Sequence, residues 1–242
     1  MTAVAAVRSL ITYLTILAYI AVAAPLALVC GVLLRWPDGM WALGHTGARL
    51  ALALAGIRYR ISGREHVPAT AVVFCSNHES NVDPPVLFEA LHRRLHILYK
   101  AELHKFPIMG TVFDVGGFVP IERNDRESAL RSIALGAESL KAGNSFLIFP
   151  EGTRSRTGHL LPFKKGGFIM AIQAQAPIVP VAIQGGRAAM KKGSAFVRPV
   201  KVSVRMGTPI PTAGLGLDDR DALIQNVRDE VERLLAQGPL WN

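Results

Sequence analysis

The sequence has only two cysteines among 242 residues, Cys30 and Cys75, and each lies inside an apolar stretch. Two cysteines placed in this way do not make the framework of bridges that holds small secreted proteins together, so a reducing compartment is expected. Cys75 precedes His78 by three residues, but a thiol buried in an apolar strand is inert. The cysteine content therefore predicts neither a disulfide scaffold nor cysteine catalysis.

Several short catalytic and phosphate-binding patterns are also missing. The sequence has no G-x-x-x-x-G-K-[ST], no G-x-G-x-x-G after a predicted strand and no H-E-x-x-H, and its GNSFL segment fails the last position of G-x-S-x-G. His92, His96 and His104 are scattered among basic residues, so we expect them to be solvated rather than to bind a metal. These absences argue against a nucleotide-cradling loop, a zinc-peptidase helix and a serine nucleophile elbow.

Charge is missing from one long segment, since no Asp, Glu, Lys or Arg occurs between Ser9 and Leu34. As a helix this run would be about 39 Å long, whereas the hydrocarbon core of a bilayer is about 30 Å thick. The segment can span a membrane with tilt, or bend at Pro25 into a re-entrant hairpin. A signal peptide cleaved after Ala21-Val22-Ala23 is the competing interpretation, but the apolar run continues well beyond that site. Membrane attachment is therefore predicted, with basic residues on both sides leaving the topology open.

Acidic residues are fewer than basic ones, and the formal net charge is +9. A chain this basic favours anionic partners, which are nucleic acid, an anionic membrane surface or phosphorylated substrates. The basic residues are dispersed and the N-terminus resembles a membrane segment, so DNA binding is poorly supported.

The chain divides at residue 56. Residues 1–56 are expected to form membrane-associated helices, the second of which carries His45 and Arg49, lies at the interface or on the domain, and ends near Gly56. Residues 57–242 alternate apolar strand-like runs with helical patterns, which predicts an α/β fold with a largely parallel central sheet flanked by helices. The predicted strands are IRYRI, AVVFC, HILYK, FVPIE, SFLIF, PIVPVAI and VKVSVRM.

Polar turns follow three of these strands, where chemistry is usually found in α/β sheets. The turns are NHESNVD at 77–83, ERND at 122–125 and FPEGTRS at 149–155. In the first, His78 and Asp83 are typical of a general base and the carboxylate that orients it. The competing interpretation makes Asp83 only the N-cap of the helix that begins with two prolines.

The other two turns offer cations for an anionic group. Arg123 follows the strand FVPIE and Arg154 lies in FPEGTRS, and each presents a planar fork that suits phosphate. Lys100, at the end of HILYK, adds a third positive charge.

Taken in order, NHESNVD, GGFVPIER, FPEGTRS and PIVPVAI resemble the four blocks of the glycerolipid acyltransferase family, in particular its lysophosphatidic acid acyltransferase branch. The resemblance covers roughly residues 57–210. It implies His78 as general base, Asp83 as its orienting carboxylate and Arg123 as the arginine that binds the acceptor phosphate. The remaining implied substrate-binding residues are Glu151, Gly152, Thr153 and Arg154, with Lys100 a looser match. One departure is the residue before Arg123, which is a glutamate where an aspartate is frequent in the family.

The resemblance also implies an activity. A membrane-bound O-acyltransferase of this kind moves a fatty acyl group from acyl-CoA or acyl carrier protein to the sn-2 hydroxyl of 1-acyl-sn-glycerol-3-phosphate, giving phosphatidic acid for phospholipid biosynthesis. No metal or other cofactor is expected, and the backbone amides of residues 151–153 are candidates to stabilise the oxyanion. The catalytic domain is expected on the cytoplasmic side of the membrane, which is the inner membrane if the source is bacterial. Alternatives are the same chemistry on another lysolipid or on glycerol 3-phosphate, a thioesterase or esterase, and a non-catalytic lipid-binding module.

Overall fold

The computed structural model describes residues 2–91, 94–105, 108–122, 125–191 and 193–241. Two residues considered above, His92 and the predicted phosphate ligand Arg123, lie outside these ranges.

The N-terminal region is a hairpin of two helices. Helix α1 (Thr2–Leu28) continues through a π-helical turn (Val29–Leu33), and helix α2 (Pro37–Ala55) returns along it. The hydroxyl of Tyr19 on α1 donates to the carbonyl of Leu43 on α2 over 2.7 Å. Residues 3–33 are the one described segment that is long and apolar enough to cross a membrane.

The chain reverses between α1 and α2, at Leu34–Trp36, and not at Pro25. Arg35 adopts a left-handed conformation there, with φ of 48°. Pro25 lies inside α1, as proline does in many membrane helices. At its far end α2 stops at Gly56, whose φ of 72° is the left-handed conformation that glycine adopts easily. The predicted end of the second helix is thus confirmed, and the predicted bend at Pro25 does not reverse the chain.

A seven-stranded sheet forms the centre of the rest of the chain. Its strands are β1 (Ile57–Ser62), β2 (Val73–Ser76), β3 (Leu95–Lys100), β4 (Val119–Ile121), β5 (Ser145–Ile148), β6 (Ile178–Gln184) and β7 (Val200–Met206). They lie in the order β1-β7-β6-β2-β5-β3-β4. All neighbours are parallel except β6 and β7. The largely parallel sheet predicted from the alternation is therefore confirmed, strand by strand.

Helices cover both faces of this sheet. After α2 they are α3 (Asp83–Leu91), α4 (Met109–Val115), α5 (Arg126–Lys141), α6 (Gly166–Ala174), α7 (Gly186–Ala189) and α8 (Arg220–Ala236). One core packs α2, α3 and α7 on the sheet, and a second core packs α5, α6 and α8 on the opposite face. Strand residues alternate between the two cores, as Phe74 and Cys75 of β2 do.

Because β2, β3, β4, β5 and β6 run in the same direction, their carboxyl ends lie along one edge of the sheet. The turns that follow β2 and β5 are NHESNVD and FPEGTRS. These strands are neighbours, so the two turns meet at that edge.

Candidate functional site

The first turn leaves the sheet at Asn77, whose side chain continues the strand pairing. Its Nδ2 donates to the carbonyl of Ile183 on β6 over 2.9 Å, and its Oδ1 accepts from the amide of the same residue over 2.8 Å. Because the side chain makes the bonds that a backbone would make, the main chain is free to turn away from β6. The start of the turn is thereby fixed to a buried strand.

The central pair of the site is His78 and Asp83. Nδ1 of His78 is 2.8 Å from Oδ2 of Asp83, and Asp83 is completely buried. The same oxygen accepts from the amides of Glu79 over 2.6 Å and of Ser80 over 2.7 Å. A carboxylate only accepts, so Nδ1 carries the proton and Nε2 keeps its lone pair. These bonds run back to the turn, so the carboxylate of Asp83 holds the imidazole and does more than begin α3.

The other oxygen of Asp83 lies against a glycine. Oδ1 has no hydrogen-bond partner among the described residues. A Cβ at Gly186, the first residue of α7, would lie 2.4 Å from this oxygen. A glycine is therefore required at position 186 for the carboxylate to occupy its place.

The second turn holds the backbone of His78 on both sides. Glu151 accepts from the amide of His78 over 2.8 Å and from the amide of Leu161 over 2.9 Å. The amide of Ser155 donates to the carbonyl of His78 over 2.8 Å. Glu151 is buried, and burial raises the pKa of its carboxyl, an effect that the bonds from Leu161 and His78 partly offset. Both Glu151 oxygens are thus occupied by backbone amides, in a position that supports the histidine.

The ring of His78 stacks on Phe149, with centroids 4.1 Å apart and planes 23° from parallel. Its side chain is 16% exposed. One face of the imidazole is therefore covered while part of the ring is open to a substrate.

Glu79 is a buried acid next to this pair. Burial, and then the nearby charge of Asp83, raise the pKa of Glu79 to about 7. Its Oε2 accepts from the amide of Arg187 over 3.4 Å, a long bond. The turn that follows β2 thus contains a carboxyl group that changes its charge near neutral pH.

The structure places the predicted cations at different distances from the histidine. Arg154 is half-buried and Thr153 is exposed, both in the turn whose backbone contacts His78. Lys100 forms a 2.7 Å ion pair with exposed Glu102. Its strand β3 lies two strands from β2, which is about 10 Å across the sheet. Arg154 therefore lies in a turn bonded to His78, whereas Lys100 lies two strands away.

Gly152 does not serve the predicted oxyanion role with its amide. That N–H donates to the carbonyl of Phe149 over 3.0 Å, closing the turn. Gly152 has a φ of 67°, and a Cβ there would lie 2.9 Å from Nζ of Lys164. The glycine thus permits both the turn and the close approach of a lysine.

Two other sequence-based expectations concern single side chains. Cys75 is completely buried, and burial, followed by the charge of Glu151, raises the pKa of its thiol, as expected for an inert cysteine. His96, predicted to be solvated, is instead buried beside Trp41, and burial lowers the pKa of its imidazole. The prediction was wrong because the rings of Trp41, Phe118 and Phe146 surround His96, and the sequence does not show that these distant segments meet at β3. Among the described residues no group of His, Cys, Asp and Glu is arranged to hold a metal ion.

An apolar cavity of about 480 Å³ lies between α1, α2 and α4. Small residues make much of its wall, among them Ala24, Gly44, Gly47, Ala48 and Ala51. A Cβ at Gly44 would be 3.7 Å from the ring of Phe88, which lies on the helix that begins at Asp83. The cavity is therefore next to the element that supplies the buried carboxylate.

Sequence reasoning missed Phe149, Glu79 and Gly186 as parts of the site. Phe149 and Gly186 contact His78 and Asp83 only because β2, β5 and β6 are neighbours, whereas Glu79 follows His78 directly in the sequence. The sequence did offer one signal for Phe149 and Gly186, which is their place just after a predicted strand. Phe149 follows β5 directly, and Gly186 lies two residues after β6.

Comparisons with known proteins show which proteins this chain resembles. A family model described as Acyltransferase matches residues 58–184. The 1-acyl-sn-glycerol-3-phosphate acyltransferase of Limnanthes douglasii is 34% identical over 220 residues, which cover 88% of this chain and 78% of that protein. The alpha form of the same enzyme from Mus musculus is 35% identical over 178 residues, which cover 72% of this chain and 62% of that protein. The crystal structure of the 1-acyl-sn-glycerophosphate acyltransferase PlsC from Thermotoga maritima superposes with a TM-score of 0.82, at 23% identity and 98% coverage of both chains.

Proposed function

Since this chain belongs to the acyltransferase family, we propose that it transfers a fatty acyl group from a thioester to the sn-2 hydroxyl of 1-acyl-sn-glycerol-3-phosphate, giving phosphatidic acid. The relatives named for this reaction support the choice of acceptor. The observation that carries the chemistry is the 2.8 Å bond between Nδ1 of His78 and the fully buried carboxylate of Asp83.

In the proposed reaction His78 is the general base. Its Nε2 takes the proton of the acceptor hydroxyl while that oxygen attacks the thioester carbon. The tetrahedral intermediate then collapses, the carbon–sulfur bond breaks, and the thiolate leaves and takes up the proton. Asp83 holds the tautomer and stabilises the imidazolium that forms. Every step is proton transfer or acyl transfer, so the proposal requires no metal or prosthetic group.

The acceptor phosphate is assigned to arginines. Arg154 lies in the turn that holds His78, and Arg123 follows β4, which ends on the same edge of the sheet. Two charge-assisted, bidentate contacts would fix the phosphate and place the neighbouring hydroxyl near the imidazole. Lys100, engaged with Glu102, is the weaker candidate.

The apolar cavity is assigned to an acyl chain. Its walls come largely from α1 and α2, the helices that we propose associate with the membrane. A lipid chain that enters it lies beside Phe88, about one and a half helical turns from Asp83. The cavity would thus hold an acyl chain between the bilayer and the helix that begins at Asp83.

The acyl donor is assigned to the aqueous side, as acyl-CoA or acyl carrier protein. Both are acidic, and Lys164, Arg187 and Lys191 are exposed basic residues near the two catalytic turns. Such donors are found in the cytoplasm, so we place the catalytic domain on that side of the membrane, which is the inner membrane if the source is bacterial.

The proposed function is tested with purified protein, labelled acyl-CoA or acyl carrier protein, and a panel of acceptors. We expect phosphatidic acid from lysophosphatidate, and much slower transfer to lysolipids without a terminal phosphate. His78→Ala should lower kcat by at least about 10², whereas His159→Ala, at an exposed histidine after the second turn, should not. Free fatty acid released without acceptor would indicate a thioesterase instead, and full activity of His78→Ala would contradict the base role.

A further inference from the structure

The loop between α7 and β7 is bonded at its base to the catalytic turn. The hydroxyl of Ser80 donates to the carbonyl of Met190 over 3.0 Å, and the side-chain Nδ2 of Asn81 donates to the sulfur of Met190 over 3.5 Å. The amide of Arg198 donates to the carbonyl of Ala189 over 2.9 Å and closes the loop. We call residues 193–199 the docked loop, because side chains of α1 bond two of its backbone groups.

Helix α1 supplies side-chain partners for the docked loop. Oγ of Ser9 accepts from the amide of Val197 over 2.8 Å, and the hydroxyl of Tyr13 donates to the carbonyl of Ala195 over 2.7 Å. Ser9 lies on the buried side of α1, and its hydroxyl also donates to the carbonyl of Ala5. Two of the few polar residues of an apolar helix are thus used to hold the backbone of this loop.

Four polar backbone groups at the tip of the loop are paired. The amide of Phe196 donates to Oγ of Ser194 over 3.1 Å, and the amides of Val197 and Arg198 and the carbonyl of Ala195 have the partners given above. Irregular backbone lies at membrane depth only when such groups are satisfied by protein. These four groups meet that condition.

Phe196 itself remains uncovered. Its ring is 45% exposed, although both neighbouring residues are hydrogen-bonded to α1. The side of α1 that faces away from the protein is apolar along the same stretch, where Val7, Leu10 and Leu14 are more than half exposed. Phe196 therefore extends the outward apolar surface of α1 onto the α/β unit.

The flanks of the loop are basic. Lys191 and Arg198 are exposed on either side of the tip. An apolar tip with basic flanks suits the boundary between acyl chains and anionic headgroups.

We propose that the docked loop enters the bilayer beside the N-terminal part of α1, with Phe196 among the acyl chains and Lys191 and Arg198 at anionic headgroups. The proposal rests on the membrane association of the proposed function. The docked loop would thus be a second membrane contact, and it belongs to the α/β unit. Its base is bonded to the catalytic turn through Met190. The lipid surface thereby positions the turn that holds His78 at a set depth.

The test places a fluorescent label at single sites in the full chain, with Cys30→Ala as background and buried Cys75 retained. Labels sensitive to polarity are attached at Phe196→Cys, at Leu14→Cys on α1 and at Leu135→Cys, an exposed position of α5 on the other face of the sheet. Vesicles of phosphatidylcholine and phosphatidylglycerol carry nitroxides on their acyl chains.

We expect quenching at positions 14 and 196 and none at 135. Quenching at 14 with none at 196 overturns the proposal while leaving the membrane association of α1 intact. No quenching at 14 and 196 overturns both. None of these readings depends on acyl transfer, so they are separate from the test of the proposed activity.

A second measurement links the loop to catalysis. Phe196→Ser should lower activity on an acceptor presented in vesicles by about tenfold, because one buried aromatic contact with lipid is lost. Activity on a short-chain, monomeric acceptor should stay within about twofold, and Phe196→Leu should retain both activities. Equal losses on both acceptors would overturn the proposal.

Discussion

At the scale of single residues, the two oxygens of Asp83 have unequal surroundings. Oδ2 accepts from His78 and from two backbone amides, whereas Oδ1 faces the Cα of Gly186. Rotation of the carboxylate would break three bonds at once, so its orientation and that of the imidazole are fixed together.

Gly186→Ala tests this arrangement. A Cβ would lie 2.4 Å from Oδ1 and push the carboxylate away from the histidine. A displacement of about 1 Å in an active site lowers kcat by about 10². Steady-state kinetics should show this loss with KM little changed and an unchanged circular dichroism spectrum.

The matched control is Gly216→Ala, where the nearest atom would be 3.8 Å from the new Cβ. Normal kcat in Gly186→Ala would show that the carboxylate is not held as described.

Glu79 provides a prediction on pH and stability. Its carboxyl has an ordinary pKa of 4.5 and a pKa of about 7 in the folded protein. Between these values the folded state keeps a proton that the unfolded state has lost, so the free energy of unfolding falls as pH rises through this window.

Glu79→Gln has no such proton, and its free energy of unfolding relative to the parent should therefore increase from pH 5 to pH 8, by at most about 3 kcal/mol. Denaturant unfolding in detergent at several pH values measures the difference. A difference that is constant with pH would contradict the raised pKa.

At the scale of elements, the alternation of apolar runs was enough to locate all seven strands, because each strand is a short apolar segment bounded by turn residues. The direction of β7 was not predictable, since its pairing with β1 joins segments more than a hundred residues apart. The reversal after α1 was placed at Pro25 in one alternative because proline breaks helices in water. The helix instead continues, and the hairpin is closed by packing against α2.

In the site, too, the contacts between residues close in sequence were predictable and those between distant segments were not. Local spacing predicted the contact of His78 with Asp83, five residues away on one turn. The bonds from Glu151 to His78 and from Asn77 to Ile183 depend on which strands are neighbours, and that information is not local.

The cavity between the helices provides a prediction on acyl-chain length. The larger side chain of Ala48→Leu would fill part of the cavity, so the longest acyl chain that the protein accepts should become shorter. Products formed from a mixture of donors of different length, resolved by mass spectrometry, measure the change. Ala42→Leu, on the exposed side of α2, is the control, and an unchanged product distribution in Ala48→Leu would argue against the assignment.

At the scale of the whole molecule, the helical hairpin and the sheet are joined by a buried acid. Glu89 on α3 is 1% exposed and accepts from His45 and Arg49 of α2, each over 2.6 Å. Burial alone would raise the pKa of Glu89, but the bonds and charges of Arg49 and His45 lower it overall. The carboxylate is therefore ionised where it connects the two parts, and it ties the hairpin to the sheet.

Glu89→Ala should loosen this junction. Arg49 loses a buried counter-charge and His45 loses its hydrogen-bond partner, so hydrogen exchange should become faster in α2 while β5 stays protected. Glu232→Ala, which removes an exposed ion pair with Arg228, is the control and should change little. Equal exchange in α2 of the parent and Glu89→Ala would contradict the connection.

The paired bonds of Asn77 make the enzyme sensitive to a change of one atom. Asn77→Asp replaces a donor with an oxygen directly opposite the carbonyl of Ile183. Attraction between the ends of β2 and β6 would become repulsion one residue before His78. This substitution should therefore displace the imidazole without changing any atom of His78 or Asp83.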